Sequence, residues 1–152
     1  MKDIRLKGKF LKPSSRINRV ETRVLYADTD HGGVAYYASY LRWFEIGRTE
    51  LFRKAGLTYA DVEKSGILSP VIEVFCKYLQ PAKYDEILVI DTWIEILGLG
   101  SITFGYQIRK KSDDSLLATG KTINAFVNRS LKPTRPPKAI YNALSAFIDG
   151  SL

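Results

Sequence analysis

The sequence predicts an α+β fold in which an antiparallel sheet is set against one long helix. Two observations carry this. Helical spacing runs from Ala38 to Ala55, where Leu41, Phe44, Leu51, Phe52 and Ala55 recur at threes and fours. From Ile67 to Asn128 the chain then reads as strands joined by short turns, and such turns imply antiparallel neighbours because parallel ones need long crossovers. At 152 residues, 45% hydrophobic and 26% charged, the chain has the size and composition of one domain able to bury a core.

Residues 1–17, which include Pro13, Ser14 and Ser15, read as a basic, loosely ordered arm, and 18–152 as the domain. Val20, Thr22, Val24 and Tyr26 alternate with Glu21, Arg23 and Leu25, the pattern of a half-buried strand. After an acid-glycine turn comes the long helix, with Gly47 on its apolar stripe, as though a neighbour packs closely there, and Gly56 placed to end it. Thr58, with Asp61 three residues on, opens a short second helix that Gly66 stops.

Val71 to Leu79 places Ile72, Val74, Cys76 and Tyr78 on one face and Glu73 and Lys77 on the other. Glu86 to Leu97, Ile102 to Lys110 and Leu116 to Asn128 follow as strands, separated by turns at 98–101 and 112–115. Pro133, Pro136 and Pro137 break the pattern, and 138–149 reads as a short final helix.

The net charge of +7 is unevenly spread: +5 over residues 1–16, −1 over 17–127 and +3 over 128–152. A neutral body with basic ends argues against a nucleic-acid-binding face built into the fold; the ends are either solubilising or able to meet phosphates. No apolar run is long enough to span a membrane, and the N-terminus lacks the apolar core of a secretory signal. The single cysteine, Cys76, forms no internal disulfide and offers no metal-site spacing, so a reducing, cytoplasmic setting is expected.

Several familiar motifs fail. Gly120-Lys121-Thr122 ends like a phosphate loop, but Ser115 stands where the earlier glycine belongs and no helix follows. Gly98-Leu99-Gly100 has Thr103 where a dinucleotide fingerprint needs glycine. There is no G-x-S-x-G, and one histidine cannot make a two-histidine zinc motif. No metal and no resident organic cofactor are expected.

The dense chemistry lies between Tyr26 and Gly56. Asp28 and Asp30 are two apart, so on an extended chain their side chains share a face. Gly32 and Gly33 follow, where the chain turns sharply or lets another group approach its backbone. From the residues alone, Asp30 is either an acid poised at a helix N-terminus or an N-cap or turn aspartate satisfying backbone amides. Tyr36, Tyr40, Trp43 and Phe44 either line a slot or form plain core. Glu45 and Arg48, followed by Glu50, read as helix-surface charges able to pair.

The run D-T-D-H-G-G-V-A-Y-Y-A-S-Y-L, followed by W-F-E and R-T-E, resembles the signature of the 4-hydroxybenzoyl-CoA thioesterase family, and within it the YbgC-type acyl-CoA thioesterases associated with the Tol–Pal cluster. The resemblance spans about Val20 to Asn128 and implies the hotdog fold, a sheet wrapped around one long helix. It carries the family's catalytic acid onto Asp30 and its oxyanion-binding backbone amide onto Tyr37. Asp28 becomes an orienting residue. An ionised Asp30, favoured by the positive helix end, would act as nucleophile or as general base.

Substrate contacts are expected at His31, which follows Asp30 directly, and at Gly33, Tyr36 and Tyr40, with His31 alternatively a plain loop histidine. Arg129, Lys132 and Arg135 are the candidate partners of coenzyme A phosphates, unless they are a solvated basic loop. Where many members of the branch have histidine and asparagine, this chain has Tyr37 and Ser39, which leaves acyl preference open.

The expected activity is hydrolysis of an acyl- or aroyl-CoA to acid and CoA, with coenzyme A as part of the substrate. A homodimer or homotetramer is expected, with sites at subunit interfaces. The rivals are a thioesterase acting on acyl carrier protein and a non-catalytic acyl-CoA-binding or scaffold protein.

Overall fold

Strands β1 (Asn18–Arg23), β2 (Val71–Tyr78), β3 (Ile87–Leu97), β4 (Ser101–Lys110) and β5 (Leu116–Ala125) form one antiparallel sheet in the order β1-β3-β4-β5-β2. Among the described residues three α-helices accompany it: α1 (Ser39–Lys54), α2 (Tyr59–Lys64) and α3 (Lys138–Asp149). This is a computed structural model, and it describes residues 13–150. Of the basic arm, residues 1–12 lie outside the described residues. Its remainder is tied to the body: Ser14 Oγ donates to Glu95 Oε2, Ser15 Oγ donates to the Ile94 carbonyl, and the Arg16 guanidinium lies 4.7 Å from the Phe147 ring centroid.

α1 lies against β1, β3 and β4, burying Trp43, Phe44, Leu51 and Phe52 with Ile90, Ile94, Phe104 and Tyr106 of the sheet. The hydrophobic effect drives this contact, at about 1.5–3 kcal/mol per large apolar side chain buried. Two glycines set how close the layers come. A Cβ on Gly47 would sit 2.2 Å from Thr92 Oγ1, which is the close neighbour its place on the stripe implied. A Cβ on Gly120 would sit 2.1 Å from Phe44 Cζ, so β5 has no side chain where the Phe44 ring lies. That ring stacks on Tyr106 at 4.3 Å between centroids. α3 adds Ile140, Leu144 and Phe147 to the same core.

The caps agree with the sequence. Thr58 accepts from the Asp61 amide at the start of α2, and Gly56 takes φ +84° just past α1.

Five expectations need correction. The first strand ends at Arg23; Val24 is fully buried, but Tyr26 is exposed and opens a 3-10 turn, Tyr26–Asp28. Asp28 and Asp30 therefore do not share a strand face. Leu41, expected on the apolar stripe, is 39% exposed beside the β2 edge, and Ile72 is 64% exposed, next to a register shift between Val71 and Glu73. β5 ends at Ala125 rather than near 128, because Val127 leaves the sheet to bridge Leu68 and Pro133. Glu50 pairs with Arg53, whereas Arg48 turns inward to Tyr106.

Candidate active site

The segment between β1 and α1 is a tight hairpin. Thr29 bridges Ala35, the Asp30 amide donates to the Val34 carbonyl (2.9 Å), and the Gly33 amide donates to the Asp30 carbonyl (3.2 Å). Gly33 holds φ +76°, which glycine adopts without steric cost. The Gly32 amide donates to Asp30 Oδ1 at 2.7 Å, and a Cβ on Gly32 would stand 3.2 Å from that oxygen. Asp30 is thus a turn aspartate and not the helix cap, a position held by Ala38. The turn uses only one carboxylate oxygen; Oδ2 has no hydrogen-bond partner among the described residues, and the residue is exposed.

Asp28 anchors the hairpin. Its carboxylate, 5% exposed, receives Arg42 Nη2 on both oxygens at 2.6 Å and the Leu25 amide at 2.7 Å. Its carbonyl accepts from the Tyr36 amide and from Ser39 Oγ. On the other flank, the Ala35 amide donates to the Ala82 carbonyl and Val34 bridges Lys83. The hairpin is therefore fixed both to the first turn of α1 and to the loop preceding β3.

Just ahead of α1, the amides of Tyr37 and of the cap residue Ala38 donate to no acceptor among the described residues. The Tyr37 carbonyl accepts from Tyr78 Oη at 2.7 Å. Tyr37, Tyr40, Tyr78, Leu79 and Pro81 border an open cavity of about 300 Å³ here. A second cavity of about 320 Å³ runs between α1 and β2, lined by Leu41, Phe44, Arg48, Val71 and Val74 among others. The first of these borders Tyr37, whose amide is free.

Electrostatics around these cavities follow burial. Burial pushes the Tyr106 phenol up to about 12 and the Cys76 thiol to about 11, and raises the Tyr40 phenol. Burial opposes the charge of Arg48, but the phenols of Tyr106 and Tyr59 and the Glu45 carboxylate hold its pKa above the ordinary value.

The structure brings Asp30, His31, Gly33, Tyr36 and Tyr37 together in and beside the hairpin. His31 is exposed near its tip, and the exposed Tyr36 ring lies 4.5 Å from that of Tyr37. Tyr40 is 2% exposed; its hydroxyl accepts from the Ala82 amide, so it is wall and core at once. Trp43 and Phe44 are core.

Arg129, Lys132 and Arg135 lie elsewhere, in and after the loop past β5. Arg129 reaches the Glu63 carbonyl of α2, and Arg135 borders the β3–β4 turn. Within one chain they sit toward the far end of α1 from Tyr37. Sequence reading missed Arg42 and Tyr78. Tyr78 was placed on the correct strand face, but neither contact has a local signal, since the partners are 14 and 41 residues apart.

Among the described residues no cluster of His, Cys, Asp or Glu is arranged to hold a metal, and no helix is long and apolar enough to cross a membrane. A sheet packed around one central helix whose N-terminus opens beside an acidic hairpin defines the hotdog class. The chain belongs to the thioesterase-like superfamily, which it matches over residues 24–144.

Among its relatives is YneP of Bacillus subtilis (strain 168), named as a candidate acyl-CoA thioesterase. It is 39% identical over 132 residues, covering 86% of this chain and 95% of that protein. The acyl-CoA thioester hydrolase YbgC of Escherichia coli O6:H1 is 32% identical over 123 residues, covering 80% and 91%. The crystal structure of DHNA-CoA thioesterase from Staphylococcus aureus superposes with a TM-score of 0.80 at 29% identity, covering 90% of this chain and 95% of that one.

Proposed function

We propose that this protein is an acyl-CoA thioesterase, hydrolysing an acyl- or aroyl-CoA to the free acid and CoA in a reducing, cytoplasmic setting. The observation that carries the reading is the pairing of Asp30, one carboxylate oxygen free, with the unpartnered Tyr37 and Ala38 amides at the start of α1. When a thioester carbonyl is attacked its oxygen becomes an oxyanion, and free amides at a helix N-terminus are suited to receive it. Asp30 then acts in one of two ways. As nucleophile, it forms a mixed anhydride, expels the CoA sulfur, and is freed when water hydrolyses the anhydride. As general base, it takes a proton from the water that attacks the carbonyl. The names of the relatives support the coenzyme A ester as substrate.

A homodimer completes the site in this reading. Among the described residues the β2 edge is unpaired, and Val71, Ile72 and Val74 on it are 42%, 64% and 45% exposed. Two-fold pairing of two β2 edges would be antiparallel and would bring the Val71 end of one chain beside the Tyr78 end of the other. The loop carrying Arg129 and Lys132 lies near the Val71 end, through the Val127–Leu68 bridge and the bond from the Ala125 amide to Pro70. Cations remote from Tyr37 in one chain would thus approach it in the partner, where coenzyme A phosphates need them.

The test is thiol release from CoA esters of short, medium and long acyl groups, benzoate and 4-hydroxybenzoate, with wild type and Asp30→Asn. Turnover lost by about 10³-fold or more in the variant is the expected result. Wild-type rates in Asp30→Asn would refute the site. Tight CoA binding without turnover by wild type would favour a binding module, and faster turnover of matched carrier-protein esters would favour that substrate.

A further inference from the structure

We infer that Tyr78 is a positioning residue for the oxyanion site, holding the segment that enters α1 to the edge of the sheet so that its free amides face the substrate. The inference rests on the thioesterase reading above. Tyr78 is the last residue of β2, and its backbone is fixed by pairing with Ala118 of β5. Its ring meets the buried Tyr40 edge-on, with centroids 4.8 Å apart, and its hydroxyl donates to the Tyr37 carbonyl at 2.7 Å.

That carbonyl needs a donor. In a regular α-helix it would accept from the Leu41 amide, but Leu41 donates to Ala38 instead, and among the described residues no other backbone donor reaches Tyr37. Tyr78 takes the vacant place from outside the helix.

The consequence follows from peptide geometry. The Tyr37 carbonyl and the Ala38 N–H belong to one planar trans unit and point in opposite directions. Drawing the carbonyl toward β2 aims the Ala38 N–H away from it and restrains the adjoining Tyr37 amide. Donation to the carbonyl also polarises the unit and strengthens its N–H as a donor. Burial, the adjacent Cys76 and the neighbouring tyrosines raise the Tyr78 pKa well above the ordinary phenol range, so the donor proton stays in place on the alkaline side.

The experiment compares wild type, Asp30→Asn, Tyr78→Phe and protein carrying 3-fluorotyrosine at position 78, using the best CoA ester of the panel. Phenylalanine keeps the ring against Tyr40 and removes only the donor. The expected result is a kcat lower by about tenfold with KM within about twofold, the scale of one uncharged hydrogen bond used in the transition state. The fluorinated phenol, a stronger donor, should restore kcat to wild type or above. In ¹⁵N-labelled protein the Ala38 amide resonance should move in Tyr78→Phe while that of Leu51 stays in place.

Wild-type kcat in Tyr78→Phe, a change in KM alone, or an unmoved Ala38 resonance would each overturn the role. If wild type hydrolyses no ester, the reading of the site falls and this role falls with it. If wild type turns over, Asp30→Asn does not, and Tyr78→Phe matches wild type, the positioning role alone is overturned.

Discussion

Arg42 of α1 grips Asp28, 14 residues earlier, with Nη2 2.6 Å from both carboxylate oxygens. The contact ties the start of the acidic hairpin to the helix whose N-terminus carries the free amides, so it fixes the relation between the two halves of the site. Arg42→Ala would leave a nearly buried carboxylate with the Leu25 amide and no counter-charge. Because the Arg42 side chain is 41% exposed, the expected loss is about 1–3 kcal/mol, below that of a fully buried pair. Urea denaturation measures it, and kcat should fall more than stability alone explains. A variant with wild-type kcat would show that the hairpin holds its place without the pair.

Gly120 is a packing requirement rather than a turn. In Gly120→Ala the new methyl would lie 2.1 Å from Phe44 Cζ, and that ring is already stacked on Tyr106. The layers must separate or Phe44 must leave its place, a cost of about 1–3 kcal/mol or more. Thermal melting should show the loss. Phe44→Leu introduced beside it should recover part of the loss by freeing the space the ring filled.

Alkaline pH should weaken the fold. The Cys76 thiol is held by burial from its ordinary value near 9 up to about 11. Between those values the unfolded chain has released a proton that the folded chain retains, so stability falls as pH rises through the window and is unaffected below it. Urea midpoints from pH 8 to 11 test this. In Cys76→Ala the decline should be shallower, with the raised phenols of Tyr106 and Tyr78 still contributing at the top of the range.

Charge on the β2 edge should separate subunits. Ile72→Lys, on an exposed position beside a register shift, should have little effect on the isolated fold but in the proposed dimer would put two cations near the two-fold axis. If the proposed dimer completes the site, sedimentation velocity should show a shift toward monomer and thiol release should fall by about tenfold or more. Monomeric wild type with full activity would defeat the proposal that the site is completed by a partner.

Most of the architecture was legible because it is written in local periodicity. The spacing of Phe44, Leu51, Phe52 and Ala55 located α1, Thr58 and Gly66 bounded α2, and the turns at 98–101 and 112–115 located the hairpins of the sheet. Boundary errors arose where hydrogen bonds overrode the apolar pattern. Tyr26 alternates like a strand residue, but the Asp28 amide donates to the Leu25 carbonyl and closes a 3-10 turn there. Val127 continues the β5 pattern, yet its bonds go to Leu68.

By itself the sequence determined the α+β class, the acidic diglycine turn and the helix that follows it, since each depends on residue types within a few positions; the hotdog arrangement entered through the family resemblance of the run from Asp28 to Leu41. Tertiary structure alone decided which groups are spent and which are free. It buries Asp28 against Arg42 while leaving one oxygen of Asp30 open, carries Tyr78 across 41 residues to Tyr37, and leaves Ile72 and Leu41 uncovered at the β2 edge. The physical reason is that periodicity reports which face of an element is apolar. Hydrogen-bond partners depend on where the folded sheet brings distant backbone and side-chain groups together.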